Sequence, residues 1–177
     1  MNPYIKREKK MRELWLLRHG KSDREVVCPD FERPLKPRGR RAAQHLGEWL
    51  QARQSRPNLV ITSPARRALN TAQLVCDALG LTEQLTLEPR LYFQGIEEIK
   101  NVLAECPSKA KRIMLVGHNP DFEELLTELV GEDNLPDAEK LLPTAALARL
   151  EMPDDWSELQ ADCARVIDIL YAKSLPE

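Results

Sequence analysis

The sequence predicts an α/β fold, a three-layer α/β/α sandwich in which helices cover both faces of a mostly parallel central sheet. Three short apolar runs, at residues 14–17, 59–61 and 113–116, have the length and composition of buried strands. Each run is followed by polar turn residues and then by a segment whose apolar residues recur at helical spacing. Strands that alternate with helices in this way are typical of parallel sheets.

The first two helices are predicted by their boundaries as well as by their periodicity. Pro37 opens the helix after the first strand, and apolar residues continue at helical spacing to Arg53. After the second strand, Ser63 and Pro64 are expected to be the N-cap and the first helical residue, and Gly80 is expected to end the helix.

The middle of the chain continues the alternation of strands and helices. A third strand is predicted at residues 85–87 and a helix at residues 96–106. After the apolar run at 113–116, Asn119 and Pro120 are expected to cap and open a further helix that ends near residue 130.

The end of the chain predicts one more strand and one more helix. Residues 145–150 have the pattern of a strand. Ser157 and Gln160 have the spacing of a capping box, which predicts a final helix running towards Tyr171.

The length of 177 residues is typical of one domain. We expect a single domain at residues 13–177, preceded by a basic N-terminal extension at residues 1–12 that is a solvated tail. The composition, 42% hydrophobic and 31% charged residues, is that of a globular protein.

Charge and hydropathy exclude two classes of partner. The net charge of −2 provides no overall basic field, so we expect no nucleic-acid partner. No apolar stretch approaches the roughly 20 residues needed to span a bilayer, and the N-terminus lacks the apolar region of a secretory signal. We therefore expect a cytoplasmic protein that does not bind membranes.

The cysteines are widely spaced and lack the paired spacing of a zinc site or a redox motif. All four are expected to be free thiols, and no metal site is predicted. They are Cys28, Cys76, Cys106 and Cys163.

Three predicted strands end in polar residues whose chemistry is related. These polar residues are Arg18 and His19 after the first strand, Ser63, Arg66 and Arg67 after the second, and His118 after the run at 113–116. Ligands of open parallel sheets bind beyond the carboxyl ends of the strands, so we expect these side chains to face one crevice. Taken singly, each histidine has a structural alternative and each arginine a solvated one.

Arg66 and Arg67 indicate what this crevice binds. Both lie in the predicted first turn of a helix, where the macrodipole disfavours cations by up to about 1 kcal/mol. A bound anion would offset this cost, because guanidinium groups, imidazoles and free backbone N–H groups suit phosphate oxygens. The residues therefore predict a site for a phosphoryl group.

The segment Leu17-Arg18-His19-Gly20 resembles the R-H-G signature of the histidine phosphatase superfamily, which includes phosphoglycerate mutases and many phosphatases. Residues 62–72 resemble the S-P-x-x-R-A-x-x-T-A helix start of that family, and residues 116–120 resemble its second-histidine motif. Three motifs that agree in order and spacing make the resemblance specific. It implies a phosphoglycerate mutase-like fold.

The resemblance also implies roles for single residues. His19 is expected to be the nucleophile, attacking as a neutral imidazole. Arg18, Arg67 and a protonated His118 are expected to grip the phosphoryl oxygens, with Arg67 preferred to Arg66 by its place in the motif. Further substrate contacts are expected from Gly20, Ser63, Asn119 and Thr144. No metal and no cofactor is expected.

Within the superfamily the chain resembles the small phosphohistidine phosphatase branch. The similarity covers roughly residues 13–160 and is carried by the short length and by residues 33–35, 91–92, 116–120 and 142–146. It implies hydrolysis of phosphohistidine on a protein through a covalent phosphohistidine intermediate. A small phosphorylated metabolite is the alternative substrate.

A missing carboxylate supports the N-linked substrate. Mutases and many ester-cleaving relatives carry a proton-donating glutamate where this chain has residues 91–93, Leu-Tyr-Phe. An alkoxide leaving group needs that proton, whereas imidazole, with a conjugate-acid pKa of about 6.5, leaves readily near neutrality. Asp23, Glu25 or Asp30, in the loop after the first strand, could supply a proton instead, and this alternative stays open.

Other classes of protein remain as rivals. Cys106 and Arg112 have the C-x5-R spacing of a cysteine phosphatase, but they leave a predicted helix and enter a strand, which is the wrong context for a phosphate loop. A phosphoglycerate mutase and a catalytically idle module that binds phosphorylated partners are the other two alternatives.

Overall fold

The computed structural model describes residues 11–176. This part of the chain forms six strands and four α-helices. The strands are β1 (Arg12–Arg18), β2 (Leu59–Thr62), β3 (Leu85–Leu87), β4 (Arg112–Gly117), β5 (Ala146–Met152) and β6 (Arg165–Tyr171). The helices are α1 (Pro37–Ala52), α2 (Arg66–Leu79), α3 (Ile96–Ala104) and α4 (Asp121–Val130). The predicted N-terminal extension lies outside the described residues except for its last two, and Arg12 already belongs to β1.

The strands form one sheet in the order β3-β2-β4-β1-β5-β6. The ladders from β3 through β2 and β4 to β1 are parallel, whereas β5 is antiparallel to both β1 and β6. The prediction of a mostly parallel sheet in an α/β fold is confirmed.

Helices cover both faces of the sheet, as predicted. Successive side chains of a strand point to opposite faces, so β1 buries Trp15 and Leu17 against α1 and α2, and Leu14 and Leu16 in the core that contains α3 and α4. All four of these side chains are completely buried. Burial on both faces is the reason why this strand is a continuous apolar run and does not alternate.

The predicted final helix is wrong. The chain from Arg165 to Tyr171 is β6, an edge strand paired with β5. Ser157, the predicted cap, instead hydrogen-bonds the carboxylate of Asp155 within a turn. The segment contains the β-branched residues Val166, Ile167 and Ile169, which favour strands. Pairing with β5 therefore outweighed a local capping pattern.

The predicted start of α2 is also wrong. The helix begins at Arg66, with Ala65 at the N-cap position, two residues after the predicted start at Pro64. The hydroxyl of Ser63 contacts His118 at 2.8 Å and accepts only a 3.3 Å bond from the Ala65 N–H. Ser63 is therefore used by the neighbouring strand end and does not cap the helix.

The start of α4 is wrong by one residue for a similar reason. The helix begins at Asp121, and Pro120 occupies the N-cap position. The side-chain amide of Asn119, the predicted cap, donates to the Leu142 carbonyl at 3.0 Å. Polar residues after both strands thus serve contacts between loops.

Three further findings apply to residues 11–176. All four cysteines are free thiols. No cluster of three or more His, Cys, Asp or Glu side chains in this part of the chain is arranged to hold a metal ion. None of its helices is both long enough and apolar enough to cross a bilayer.

Candidate active site

The carboxyl ends of β1, β2 and β4 meet at a cleft of about 590 Å³, which we call the His19 cleft. Five of the eight predicted site residues line it, namely Arg18, His19, Arg67, Asn119 and Thr144. His118 is buried beside it, with its ring centroid 5.2 Å from that of His19. The predicted convergence of two imidazoles and two guanidinium groups is therefore present in the structure.

Two neighbours determine the tautomer of His19. Its Nδ1 lies 2.7 Å from the carbonyl oxygen of Gly20, which can only accept a hydrogen bond. Its Nε2 lies 3.3 Å from Nε of Arg67, which can only donate. Both contacts require the proton on Nδ1, so the lone pair is on Nε2.

The environment keeps the His19 imidazole neutral. Burial lowers its pKa to about 3, and the charges of Arg67 and Arg18 act in the same direction, although the Gly20 carbonyl partly opposes them. A neutral imidazole whose Nε2 carries no proton is the form that can attack phosphorus, and the contact that this lone pair accepts from Arg67 is a long one, 3.3 Å. His19 therefore needs no separate base.

The charge of His118 depends on its buried environment. Burial lowers its pKa to about 3, and the charge of Arg67 acts in the same direction, so the imidazole of the unliganded site is neutral near pH 7. A protonated His118 beside a bound phosphoryl group stays a prediction. Its Nε2 contacts the Ser63 hydroxyl, which itself accepts from a backbone N–H and can donate its own proton to Nε2. That arrangement puts a proton on Nδ1, which is buried and has no protein partner. A neutral His118 thus has one unused N–H donor beside the His19 cleft.

Arg18 and Asn119 share an anchor on the loop before β5. Arg18 donates from Nη1 and Asn119 from Nδ2 to the same carbonyl oxygen of Leu142, at 2.9 and 3.0 Å. The Ala145 N–H in turn lies 3.1 Å from the carbonyl oxygens of both Arg18 and His19. These contacts hold Thr144 at the cleft, and they leave Nε of Arg18 buried without a protein partner.

Gly20 has a positioning role in the structure. Its N–H donates to Oγ1 of Thr71 at 2.9 Å, so it is already engaged, and its carbonyl orients His19. A Cβ at this position would lie 2.7 Å from the carbonyl oxygen of Gly39, which leaves no room for a side chain. A direct contact between Gly20 and substrate stays a prediction.

Asp30 completes the arginine site from the loop after β1. Its backbone carbonyl accepts from Nη1 of Arg67 at 2.7 Å, and its Oδ2 accepts from Nη2 of Arg67 at 3.0 Å and from the Tyr92 hydroxyl at 2.7 Å. Arg33 donates to the other carboxylate oxygen at 2.6 Å. Arg67 is only 1% exposed, and these bonds fix its orientation towards His19.

The same contacts bear on which acid of the loop after β1 could donate a proton to the leaving group. Although partial burial alone would raise the pKa of Asp30, its hydrogen bonds with Tyr92 and Arg67 and the nearby charges lower it overall. Asp30 is therefore ionised near neutrality, which is unsuited to a general acid. Asp23 and Glu25 pair with Lys36 and do not line the His19 cleft.

Aromatic side chains occupy the position where ester-cleaving relatives are expected to carry glutamate. Phe93 packs against His118 with ring centroids 4.8 Å apart, and Tyr92 meets the same imidazole edge-on at 5.4 Å. Phe31 packs edge-on against Tyr92. This wall helps to desolvate His118 and offers no carboxyl proton.

The His19 cleft is electropositive. One carboxylate, that of Asp30, lines it, and it is already paired. The cationic lining residues are Arg18, Lys21, Arg24, Arg33 and Arg67. Such a surface is suited to a doubly charged anion.

Comparisons with known proteins agree with this geometry. A sequence profile described as histidine phosphatase superfamily (branch 1) matches residues 14–92. The crystal structure of a SixA protein from Agrobacterium tumefaciens, proposed to be a phosphohistidine phosphatase, is 30% identical, with a TM-score of 0.75 over 90% of this chain and 97% of that one. The chain belongs to the histidine phosphatase superfamily.

Further proteins are similar to this chain over nearly their whole length. An uncharacterised protein of Mycobacterium tuberculosis, Rv1276c, is 30% identical over 161 residues, which is 85% of this chain and 96% of the relative. The protein histidine phosphatase SixA complexed with tungstate superposes with a TM-score of 0.78 over 93% of this chain and 99% of that one. Its 19% identity shows a shared fold only.

The superfamily motifs located the residues at the strand ends and missed several supporting residues. Thr71 lies within the S-P-x-x-R-A-x-x-T-A motif, which predicts no role for it, and the sequence indicates Asp30 only as a possible proton donor. From the sequence, Tyr92 and Phe93 indicate only that a carboxylate is missing, and their packing against His118 is visible only in the structure. Contacts such as Asp30 to Arg67 join residues 37 positions apart, and no local spacing predicts them.

The cysteine phosphatase alternative is not supported. Cys106 follows α3, and burial, with the charges of Glu105 and Glu88, raises the pKa of its thiol to about 11. Arg112 pairs with Glu13. A protonated thiol whose presumed arginine is engaged elsewhere does not form a thiolate phosphate site.

The lowered pKa values of the two histidines predict a loss of stability in acid. In the unfolded chain each imidazole binds a proton near its ordinary pKa of about 6.5, whereas in the folded chain it does so at about 3. Between these values the unfolded state binds more protons, so the free energy of unfolding falls as pH is lowered, by up to about 1.4 kcal/mol per pH unit for each histidine.

The variant His118→Gln isolates one of these contributions. We expect its free energy of unfolding, measured with urea between pH 7 and pH 4, to fall less steeply than that of the wild type, because one buried titrating group is gone. Both proteins share the same carboxylates, so the difference in slope reports the imidazole. Equal slopes would contradict the neutral, buried His118.

Proposed function

We propose that this protein is a phosphatase that hydrolyses phosphohistidine on a phosphorylated protein, through a covalent phosphohistidine on His19. The observation that carries the proposal is the absence of a proton-bearing carboxyl group in the described lining of the His19 cleft. Tyr92 and Phe93 stand where ester-cleaving relatives are expected to carry glutamate, and Asp30 is held ionised. The structural likeness to SixA proteins is consistent with this substrate class.

The first step transfers the phosphoryl group to the enzyme. Nε2 of His19 attacks phosphorus and the P–N bond of the substrate breaks. The imidazole leaves in its neutral form, because its other ring nitrogen already carries a proton in the substrate, and His19 keeps its own proton on Nδ1. The conjugate-acid pKa of the leaving imidazole, about 6.5, makes this departure easy near neutrality. No enzyme acid has to be protonated.

The second step restores the enzyme. Water attacks phosphorus, the bond between Nε2 and phosphorus breaks, and inorganic phosphate leaves with His19 neutral again. In both steps charge develops on the equatorial oxygens, where Arg18, Arg67 and the free N–H of His118 stabilise it. Asp30 contributes by orienting Arg67.

A substrate panel tests the proposal. We expect kcat/KM for a phosphohistidine peptide to exceed that for matched phosphoserine and phosphotyrosine peptides and for sugar phosphates by at least about 100-fold, the lower range of what a general acid contributes. Equal or faster turnover of alkyl phosphates would contradict the proposal. Formation of 2-phosphoglycerate from the 3-isomer would point to a mutase.

The variant Asp30→Asn separates positioning from acid catalysis in the same panel. As a residue that orients Arg67, Asp30 should affect phosphohistidine and phosphoester turnover by a similar factor, on the order of tenfold. A loss confined to phosphoesters would identify it as their proton donor and would weaken the proposal. Asp23→Asn is the matched control, because Asp23 lies in the same loop but pairs with Lys36.

A further inference from the structure

A second cleft, of about 390 Å³, opens beside the His19 cleft. It lies between the start of α1, the turn at residues 143–145 and the chain that follows β6. We call it the Lys173 cleft and define it by Lys21, Arg38, Thr144, Tyr171 and Lys173. Lys21 and Thr144 line both clefts, so the two lie side by side. The Lys173 cleft is therefore close enough to meet the part of a substrate that lies beyond its phosphoryl group.

The charge of the Lys173 cleft has one sign. Lys21, Arg38 and Lys173 line it, and no carboxylate does so among the described residues. None of the three cations forms an ion pair within residues 11–176. Partial desolvation and then the charges of Arg38 and Arg24 lower the pKa of Lys21, as expected for crowded cations. Since the whole chain carries a net charge of −2, composition does not explain this cluster.

The remaining lining is small and apolar. The residues Ala42, Ala145 and Ala172 leave space between the cations, and Tyr171 supplies a half-buried ring. The start of α1 adds partial positive charge, since the first turn of this helix contains no acidic residue and its N-cap residue makes no side-chain cap bond. A lining that combines cations with apolar side chains suits a polypeptide that carries carboxylates, because such a polypeptide supplies both anionic and apolar groups.

Building on the proposed phosphohistidine phosphatase activity, we propose that the Lys173 cleft binds an acidic segment of the phosphorylated protein, next to its phosphohistidine. The His19 cleft is by itself large enough for the phosphoryl group and for the imidazole that carries it. The adjoining volume is too large for one further small anion and is appropriate for several side chains. Charge complementarity of this kind selects among partners and speeds their association.

Matched phosphohistidine peptides test the proposal. One peptide carries Asp and Glu beside the phosphohistidine, and the other carries Asn and Gln at the same positions. We expect the wild type to favour the acidic peptide by about tenfold in kcat/KM at low salt, mainly through KM, and the preference should shrink as salt is added. In the double variant Arg38→Gln/Lys173→Gln the preference should fall to about twofold. Lys21 is then the one cation left in the described lining of the Lys173 cleft, and a single exposed ion pair contributes little.

Lys109→Gln is the matched control. It removes one positive charge from an exposed position before β4, at the end of the strand opposite to His118, and should keep the acidic preference. Equal turnover of the two peptides by the wild type, or a preference that stays as large in the double variant as in the wild type, would overturn the acidic-segment proposal alone. If the double variant loses kcat/KM only for a bisphosphorylated sugar, the proposal is also overturned, because the Lys173 cleft would then bind the second phosphate of a small molecule.

A third substrate distinguishes failure of this proposal from failure of the proposed function. Phosphoimidazole has the reacting P–N bond and no flanking residues. If phosphoimidazole and both peptides are left intact, the phosphohistidine activity itself is disproved, and the acidic-segment proposal with it. If all three are hydrolysed and the two peptides are equivalent, the activity stands and only the role of the Lys173 cleft is overturned.

Discussion

The variant His19→Ala is expected to lose at least about 10⁴-fold in kcat/KM for a phosphohistidine peptide, because removal of a nucleophile leaves only binding and electrostatic stabilisation. Nδ1 of His19 donates its proton to the Gly20 carbonyl, so Nε2 is unprotonated and can act as the nucleophile. The measurement is the initial rate of phosphate release, compared with that of the wild type under the same conditions. Covalent labelling by substrate should disappear together with turnover.

The control for this variant is another histidine. His45 lies half-buried on α1, where its Nε2 contacts the Leu175 carbonyl at 3.4 Å, outside the His19 cleft. His45→Ala should retain turnover within a few-fold, and thermal unfolding should show that both variants are folded. An active His19→Ala protein would exclude His19 as the nucleophile.

The variant Arg67→Ala is expected to have the second largest effect, a loss on the order of 10³-fold in kcat/KM. The guanidinium of Arg67 is buried, contacts Nε2 of His19 and is held by Asp30. Its removal deletes positive charge beside the transferring phosphoryl group and also leaves the Asp30 carboxylate facing the same anion. Arg67→Lys should recover part of the activity, because an ammonium keeps the charge but lacks the fork of donors.

The neighbouring arginine provides a matched control for this second prediction. Arg66 begins the same helix, but its side chain is exposed and forms no hydrogen bond or ion pair with the described residues that would place it in the cleft. Arg66→Ala should therefore change kcat/KM by less than about threefold. Comparable losses in both variants would mean that the charge of the helix start, rather than the position of Arg67, matters.

Strands with a clear local pattern of apolar residues were predictable from the sequence. β1 and β4 are continuous apolar runs because both faces of the sheet are covered. The third strand was predicted at residues 85–87, where β3 lies. The capping box at Ser157 and Gln160 gave the wrong result, because edge pairing with β5 is a contact between distant segments that a local pattern cannot represent.

The part of the candidate site that lies at the strand ends and within the motifs was predictable from the sequence. His19 and His118 follow β1 and β4, which pair in parallel with Arg18 opposite Gly117, so their proximity follows from the sheet. The charge state of His118 was not predictable, since it depends on burial and on neighbouring cations. The same holds for Asp30, whose role depends on how its loop returns across Arg67.

The central claim is that phosphate passes through Nε2 of His19, and a rapid-quench experiment tests it most directly. Wild-type protein is mixed with a phosphohistidine peptide labelled in its phosphoryl group, quenched in base within the first turnover, and the labelled residue is mapped. We predict an acid-labile phosphoryl group on Nε2 of His19 that forms and decays as fast as phosphate is released. Phosphate release without a labelled enzyme, a label on another residue, or bound peptide that is never hydrolysed would contradict the account.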